Sequence, residues 1–277
     1  MTKRILLALA GLAPAILNAQ SPEEHPRIEV ATVKLNTSGV GRGMSMNPGR
    51  FTIRNSSVRT LLLYAYKVQA YAISDGPGWI DSDHYDIEAK VEGQLTGAAA
   101  LNLVRTILED RFHLKVHRET KDGPVYFLTV ATNGPKLKPA TCAVIDPAYK
   151  PAPPAPGESR PDRCGTNRSR TNGTSRTLDI LGVKIDEPDM AIATFPGLTF
   201  YFASILERRV IDKTGLTGRF DINLEYTPAS TEIASPAESA APSLFAAVQE
   251  QIGLKLESGK GPVELLVVDH LEKPSAN

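Results

Sequence analysis

The chain has 277 residues, 31 basic and 31 acidic side chains, no net charge, and 42% apolar residues. That apolar share excludes general disorder. Balanced charge without a long basic stripe argues against nucleic-acid binding, which needs cations to displace counterions.

Lys3 and Arg4 precede an apolar run from Ile5 to Leu17, and Ala19 supplies a small residue for cleavage. This order predicts a cleavable signal peptide over residues 1–19. The apolar run is about thirteen residues, short of the roughly twenty that a spanning helix needs, and Pro14 interrupts it. No cysteine comes directly after it, which argues against a lipid anchor. The mature protein is therefore expected outside the cytoplasm, in the periplasm, at the cell surface or secreted, with no integral membrane segment after cleavage.

Ile28 to Leu35 alternates apolar and polar residues and predicts an opening strand. Gly39-Val-Gly41-Arg-Gly43 lacks the Lys-Ser/Thr ending of a phosphate loop and leads toward another strand, so it reads as a hairpin connection. Phe51 to Arg54 is a short strand. Asn55-Ser-Ser57 offers an N-cap, and Val58, Leu61, Leu62, Ala65 and Tyr66 then recur at helical spacing.

Asp81, Asp83, His84 and Asp86 form the densest titratable group. A carboxylate–His pair can act as a general base, and Trp79 and Tyr85 can stack on a ligand. Tyr85 to Val91 alternates as a half-buried strand, however, and adjacent strand residues face opposite ways, which separates His84 and Asp86 from Asp83 and Tyr85. Trp79, Asp83, His84 and Tyr85 are the ligand-binding candidates, and no catalytic residue is assigned.

Residues 99–112 read as a helix with Leu103, Ile107 and Leu108 inward. Residues 114–118 and 125–131 read as a hairpin pair around Gly123-Pro124. His113 and His117 lie four apart, but on a strand that spacing separates them by about 13 Å, too far to share one ion. No metal is expected there. Gly-x-Ser-x-Gly, His-Glu-x-x-His and Cys-x-x-Cys are all absent, and no cofactor is expected.

Residues 138–188, rich in Pro, Arg and Ser, read as a surface loop. The loop holds the only cysteines, Cys142 and Cys164. In an exported chain these are expected to form a disulfide, stabilising by about 3 kcal/mol on a chain-entropy estimate. A helix is expected through Phe200 to Leu206. Lys213-Thr214-Gly215 resembles the strand motif of penicillin-binding enzymes, but no Ser is followed three positions on by Lys, so Lys213 to Gly218 reads as a turn. Residues 227–242 read as a second flexible loop.

Tyr85-Asp86-Ile87-Glu88 matches Phe220-Asp221-Ile222-Asn223. Val104 to Val116 matches Leu244 to Leu256, and Gly123-Pro124-Val125 matches Gly261-Pro262-Val263. Ordered matches of this kind predict a duplicated unit of about eighty residues. A residue kept by both copies, as Asp86 and Asp221 are, more often closes a turn than performs unique catalysis. The expected fold is α+β, with two related strand-helix-strand-helix-strand-strand units whose helices pack on mostly antiparallel sheets. The first unit spans 20–137 with an extra N-terminal strand, and the second spans 189–277.

Pro77-Gly78-Trp79-Ile80, Asp110-Arg111-Phe112, His117-Arg118-Glu119-Thr120, Asn133-Gly134-Pro135-Lys136-Leu137, Val210 to Gly218 and Asp269 to Pro274 together resemble a known family. It comprises the soil-associated exported proteins of acidobacteria that carry domain of unknown function 3738. The resemblance implies export, many paralogues, and in some members fusion to a membrane metallopeptidase of the antibiotic-sensor type. It supplies no catalytic residue.

The function expected is a non-enzymatic periplasmic or cell-surface binding or sensing module for a protein partner or a small ligand. The alternative is an exported hydrolase using residues 81–86 with a second-half group such as His270.

Overall fold

The computed structural model describes residues 28–93, 95, 97–142, 164, 167–172, 175–186, 197–228 and 241–275. The predicted signal peptide lies outside them, as do most of residues 143–166 and 229–240. None of the described helices is long and apolar enough to cross a membrane.

The chain is α+β, and its sheet pairs are mostly antiparallel. Its first part runs β1 (Ile28–Leu35), β2 (Gly43–Asn47), β3 (Arg50–Ser57), α1 (Val58–Tyr66), β4 (Ile73–Ser74), α2 (Trp79–Ser82), β5 (His84–Val91), α3 (Gly97–Phe112) and β6 (Lys115–Val130). Then come β7 (Lys138–Pro139), β8 (Asn167–Asn172), β9 (Ser175–Val183), α4 (Leu198–Leu206), β10 (Val210–Asp212), β11 (Phe220–Tyr226), α5 (Leu244–Ile252) and β12 (Leu254–His270). Apart from the short helix α2, which has no counterpart between β10 and β11, the order from β3 to β6 is that from β9 to β12: strand, helix, short strand, strand, helix, long strand.

The sheets share the same plan. One has the order β1-β5-β3-β2 and another β7-β11-β9-β8. Between them lies β10-β6-β12-β4, in which each short strand runs parallel to the long strand of the other half.

Local chemistry explains the main elements. Ser57 caps α1 by accepting from the Thr60 N–H, and Lys67 closes that helix in the left-handed region at φ 53°, a conformation that satisfies end carbonyls. In α3, Leu103, Val104, Ile107 and Leu108 recur at helical spacing and are all buried. Along β5 the alternation expected from sequence holds, with Tyr85, Ile87, Ala89 and Val91 inward.

Three expectations are corrected. Residues 114–118 and 125–131 are not a hairpin pair, because β6 continues through Gly123-Pro124 as one strand. Its antiparallel register with β12 runs from Lys115↔His270 to Val130↔Leu254, which supplies backbone partners along its length. Gly39 to Gly43 is not a hairpin connection, since β5 and β3 lie between β1 and β2; the opening strand β1 pairs with β5. Residues 138–188 are not wholly loop, for β8 and β9 pair within them, and Leu178, Ile180 and Val183 enter the core.

Two apolar cores result, and the long strands cross between them. The first gathers α1, α3 and β5 but also takes Leu266 and Val268 from β12. The second gathers α4, α5, β9 and β11 but takes Leu128 from β6. The exits of the two strands cross as well: the Lys136 N–H donates to Ile252 O at the end of α5 (2.9 Å), and the Glu272 N–H to Phe112 O at the end of α3 (2.7 Å).

Candidate functional site

The cleft that draws on both halves lies over the central sheet and holds about 480 Å³. The left-handed turn at Lys67 redirects the chain after α1, so that Lys67, Gln69 and Tyr71 form one wall. Thr199 of α4 and Arg209, just before β10, form the other, and Arg118 and Glu264 rise from the floor. Gln69 Nε2 bridges the walls by donating to Phe200 O (3.3 Å).

The charges of the cleft are mixed. Arg118 is paired with Glu264 and donates to Tyr66 O (3.1 Å). Arg209 donates to Pro262 O (2.7 Å), and its charge is matched by no carboxylate among the described residues. Asp186 accepts from the Thr199 hydroxyl (3.1 Å). Lys67 is exposed and makes no salt bridge among the described residues. Burial pushes the Tyr71 phenol above its usual value, with Arg209 opposing, so the ring is a neutral donor at physiological pH.

One difference between the halves bears on this cleft. Gly123 faces Gly261 at the middle of the β6–β12 pair. Three residues beyond Gly123, Tyr126 packs edge-on against Phe245 (5.4 Å) beneath the Arg208 guanidinium (5.0 Å). Three residues beyond Gly261 stands Glu264, which lines the open space instead.

The residues nominated from sequence lie elsewhere, around α2 and the start of β5. Lys273 Nζ donates to Asp83 Oδ2 (2.7 Å) and lies 5.6 Å from the Trp79 ring centroid. That hydrogen bond leads the effects that hold the Asp83 carboxyl below its ordinary value. Asp83, Tyr85, Lys273 and Pro274 line a groove of about 310 Å³. The Tyr85 ring itself is buried edge-on against Phe112 (5.1 Å). His84 Nδ1 contacts Ser82 O (3.1 Å).

Other titratable groups singled out from the sequence are paired separately. Asp81 pairs with Arg59, His270 with Glu272 and His117 with Asp269. Asp86 accepts from the Asn55 N–H (2.8 Å) and from Asn36 (3.0 Å). No cluster of His, Cys, Asp and Glu suited to a metal occurs among the described residues. Cys142 and Cys164 are joined in a disulfide, with Cα atoms 5.0 Å apart.

The sequence reading missed Lys67, Tyr71, Arg118 and Arg209. They come from three separate stretches of chain and share no local motif. The Gly-Pro-Val match, read as a turn, did not point to the place where they meet.

Fold and cleft define an α+β protein of two interlocked halves with a polar cleft that both of them line. Residues 59–271 match the protein family of unknown function DUF3738, and the chain belongs to that family. No curated protein and no solved structure matches the chain.

Proposed function

We propose that this protein is an exported, non-enzymatic binding module of the bacterial envelope, and that its ligand is a small organic anion held in the cleft between the halves. The observation that carries this reading is the cleft itself. It takes side chains from both halves and presents the Lys67 and Arg209 charges, neither matched by a carboxylate among the described residues, beside the Tyr71 hydroxyl. A concave site with a few convergent polar groups is the usual form of a small-ligand site. Fixed cations recognise carboxylate or phosphate oxygens through charge-assisted hydrogen bonds.

The basic n-region and apolar run of residues 1–19 support export, as does the resemblance to exported acidobacterial proteins. The common element order of the two halves supports their origin from one duplicated unit. The hydrolase reading needs Asp81, Asp83, His84 and His270 to converge, whereas Asp81, Asp83 and His270 each engage a separate side chain.

Calorimetric titration of the mature protein with citrate and with glycerol phosphate tests the reading. Saturable binding of either, weakened at least tenfold by Lys67→Ala or Arg209→Ala, is expected. Binding unaffected by both substitutions, or none at millimolar ligand, overturns it.

A further inference from the structure

The groove beside α2 is built for a cation. Trp79 presents an aromatic face and Asp83 a carboxylate, and Lys273 Nζ meets both. A ring quadrupole attracts an ammonium, and a carboxylate accepts its hydrogen bond, so together they select a primary ammonium group. We propose that Trp79 and Asp83 form a recognition site for a lysine on an extended peptide, filled here in cis by Lys273 and open to a lysine-bearing segment in trans.

The receptor side is fixed by the fold. The Asp83 N–H closes α2 by donating to Trp79 O (3.0 Å), which sets the two side chains relative to each other. The Asp83 side chain is 22% exposed against 58% for Lys273, so the carboxylate is seated in the protein and the lysine approaches from solvent. Its flexible four-carbon stem lets the ammonium withdraw while the Glu272 N–H keeps its bond to Phe112 O.

The groove also reads the residues after the lysine. Pro274 and Ser275 continue along it beside Val33, Leu35 and Tyr85. Leu35 is 56% exposed and gives an apolar surface for a proline ring. Contacts between partly exposed charges are individually weak, as exchange between a cis and a trans ligand requires. This site is separate from the cleft between the halves and does not depend on what that cleft binds.

Trp79 is the only tryptophan in the chain, so its fluorescence reports the site directly. In the mature protein, Lys273→Ala is expected to shift Trp79 emission to the red. A synthetic peptide of residues 270–276 should then restore it saturably, with affinity that falls as salt rises. The same peptide carrying alanine in place of its lysine should not. Adding Asp83→Asn should weaken peptide binding at least tenfold while circular dichroism stays unchanged. Unaltered emission in Lys273→Ala, or peptide binding indifferent to the lysine or to Asp83, overturns the proposal.

Discussion

Gly123 and Gly261 stand opposite each other at the centre of the longest strand pair, and each makes room for a valine of the other strand. A Cβ on Gly123 would lie 3.2 Å from Val263 Cγ2, and one on Gly261 would lie 3.3 Å from Val125 Cγ2. These neighbours are side chains that can give slightly, so Gly261→Ala should cost about 1 kcal/mol. Gly253 is different. It sits at φ 68°, and its Cβ would meet Gly134 O at 2.2 Å, a backbone atom in the Asn133-Gly134-Pro135 turn. Gly253→Ala should cost about 3 kcal/mol, and urea unfolding of the two variants checks the ranking.

Because β12 supplies Leu266 to the first core, the halves should unfold together. Leu266 is 1% exposed, and Leu266→Ala should cost about 2–5 kcal/mol. Fluorescence of Trp79, in the first half, and far-ultraviolet circular dichroism of the whole chain should give one coincident transition. Separate transitions would show that the halves fold independently.

Asp86 and Asp221 occupy matching positions and do the same structural task. Asp86 accepts from the N–H of Asn55, which has φ 48° where the β3–β5 register shifts. Asp221 accepts from the N–H of Gly182, which has φ 62° where the β9–β11 register shifts. Burial pushes the Asp86 carboxyl up, but the bonds from Asn36 and Asn55 and the Arg54 charge outweigh it. The folded value therefore lies below the ordinary 3.8. Its contribution is fully present above 3.8 and is lost as pH falls through the lower folded value. Asp86→Ala should cost about 2 kcal/mol at neutral pH. It should also flatten the loss of stability in the acid range below the ordinary carboxylate value, as read from unfolding midpoints against pH.

The disulfide packs over Gly182. A Cβ there would lie 2.3 Å from Cys142 Sγ and 2.5 Å from Cys164 Sγ, at a φ that L side chains rarely adopt. Gly182→Ala should therefore displace the disulfide and cost more than Cys142→Ser combined with Cys164→Ser, for which about 3 kcal/mol is expected. Thermal unfolding of both variants under oxidising conditions decides the order.

How much of the fold and site was legible in sequence tracked the range of the interactions. The α3 helix and the β5 strand are set by local periodicity, so Leu103 and Ile107 could be placed inward without a structure, whereas Tyr85, offered as a ring to stack on a ligand, is buried against Phe112. The Gly-Pro signal at 123–124 misled because a local turn preference was overridden by the pairing of a 16-residue strand with β12. The β8–β9 pair was hidden by the Pro- and Gly-rich residues around it. Among the ligand candidates, Trp79 and Asp83 do meet, but through Lys273, 190 positions after Asp83. The cleft was invisible because Lys67, Arg118 and Arg209 converge only when the long strands cross.

If the cleft between the halves is the ligand site, a small organic anion must perturb the amides that line it. Citrate titrated into isotope-labelled protein lacking residues 1–19, tracked by amide chemical shifts, reads this out. Saturable shifts confined to Lys67–Ala72, Arg118–Thr120 and Arg209–Ile211 are predicted. Shifts centred elsewhere, or none at millimolar citrate and glycerol phosphate alike, would contradict it.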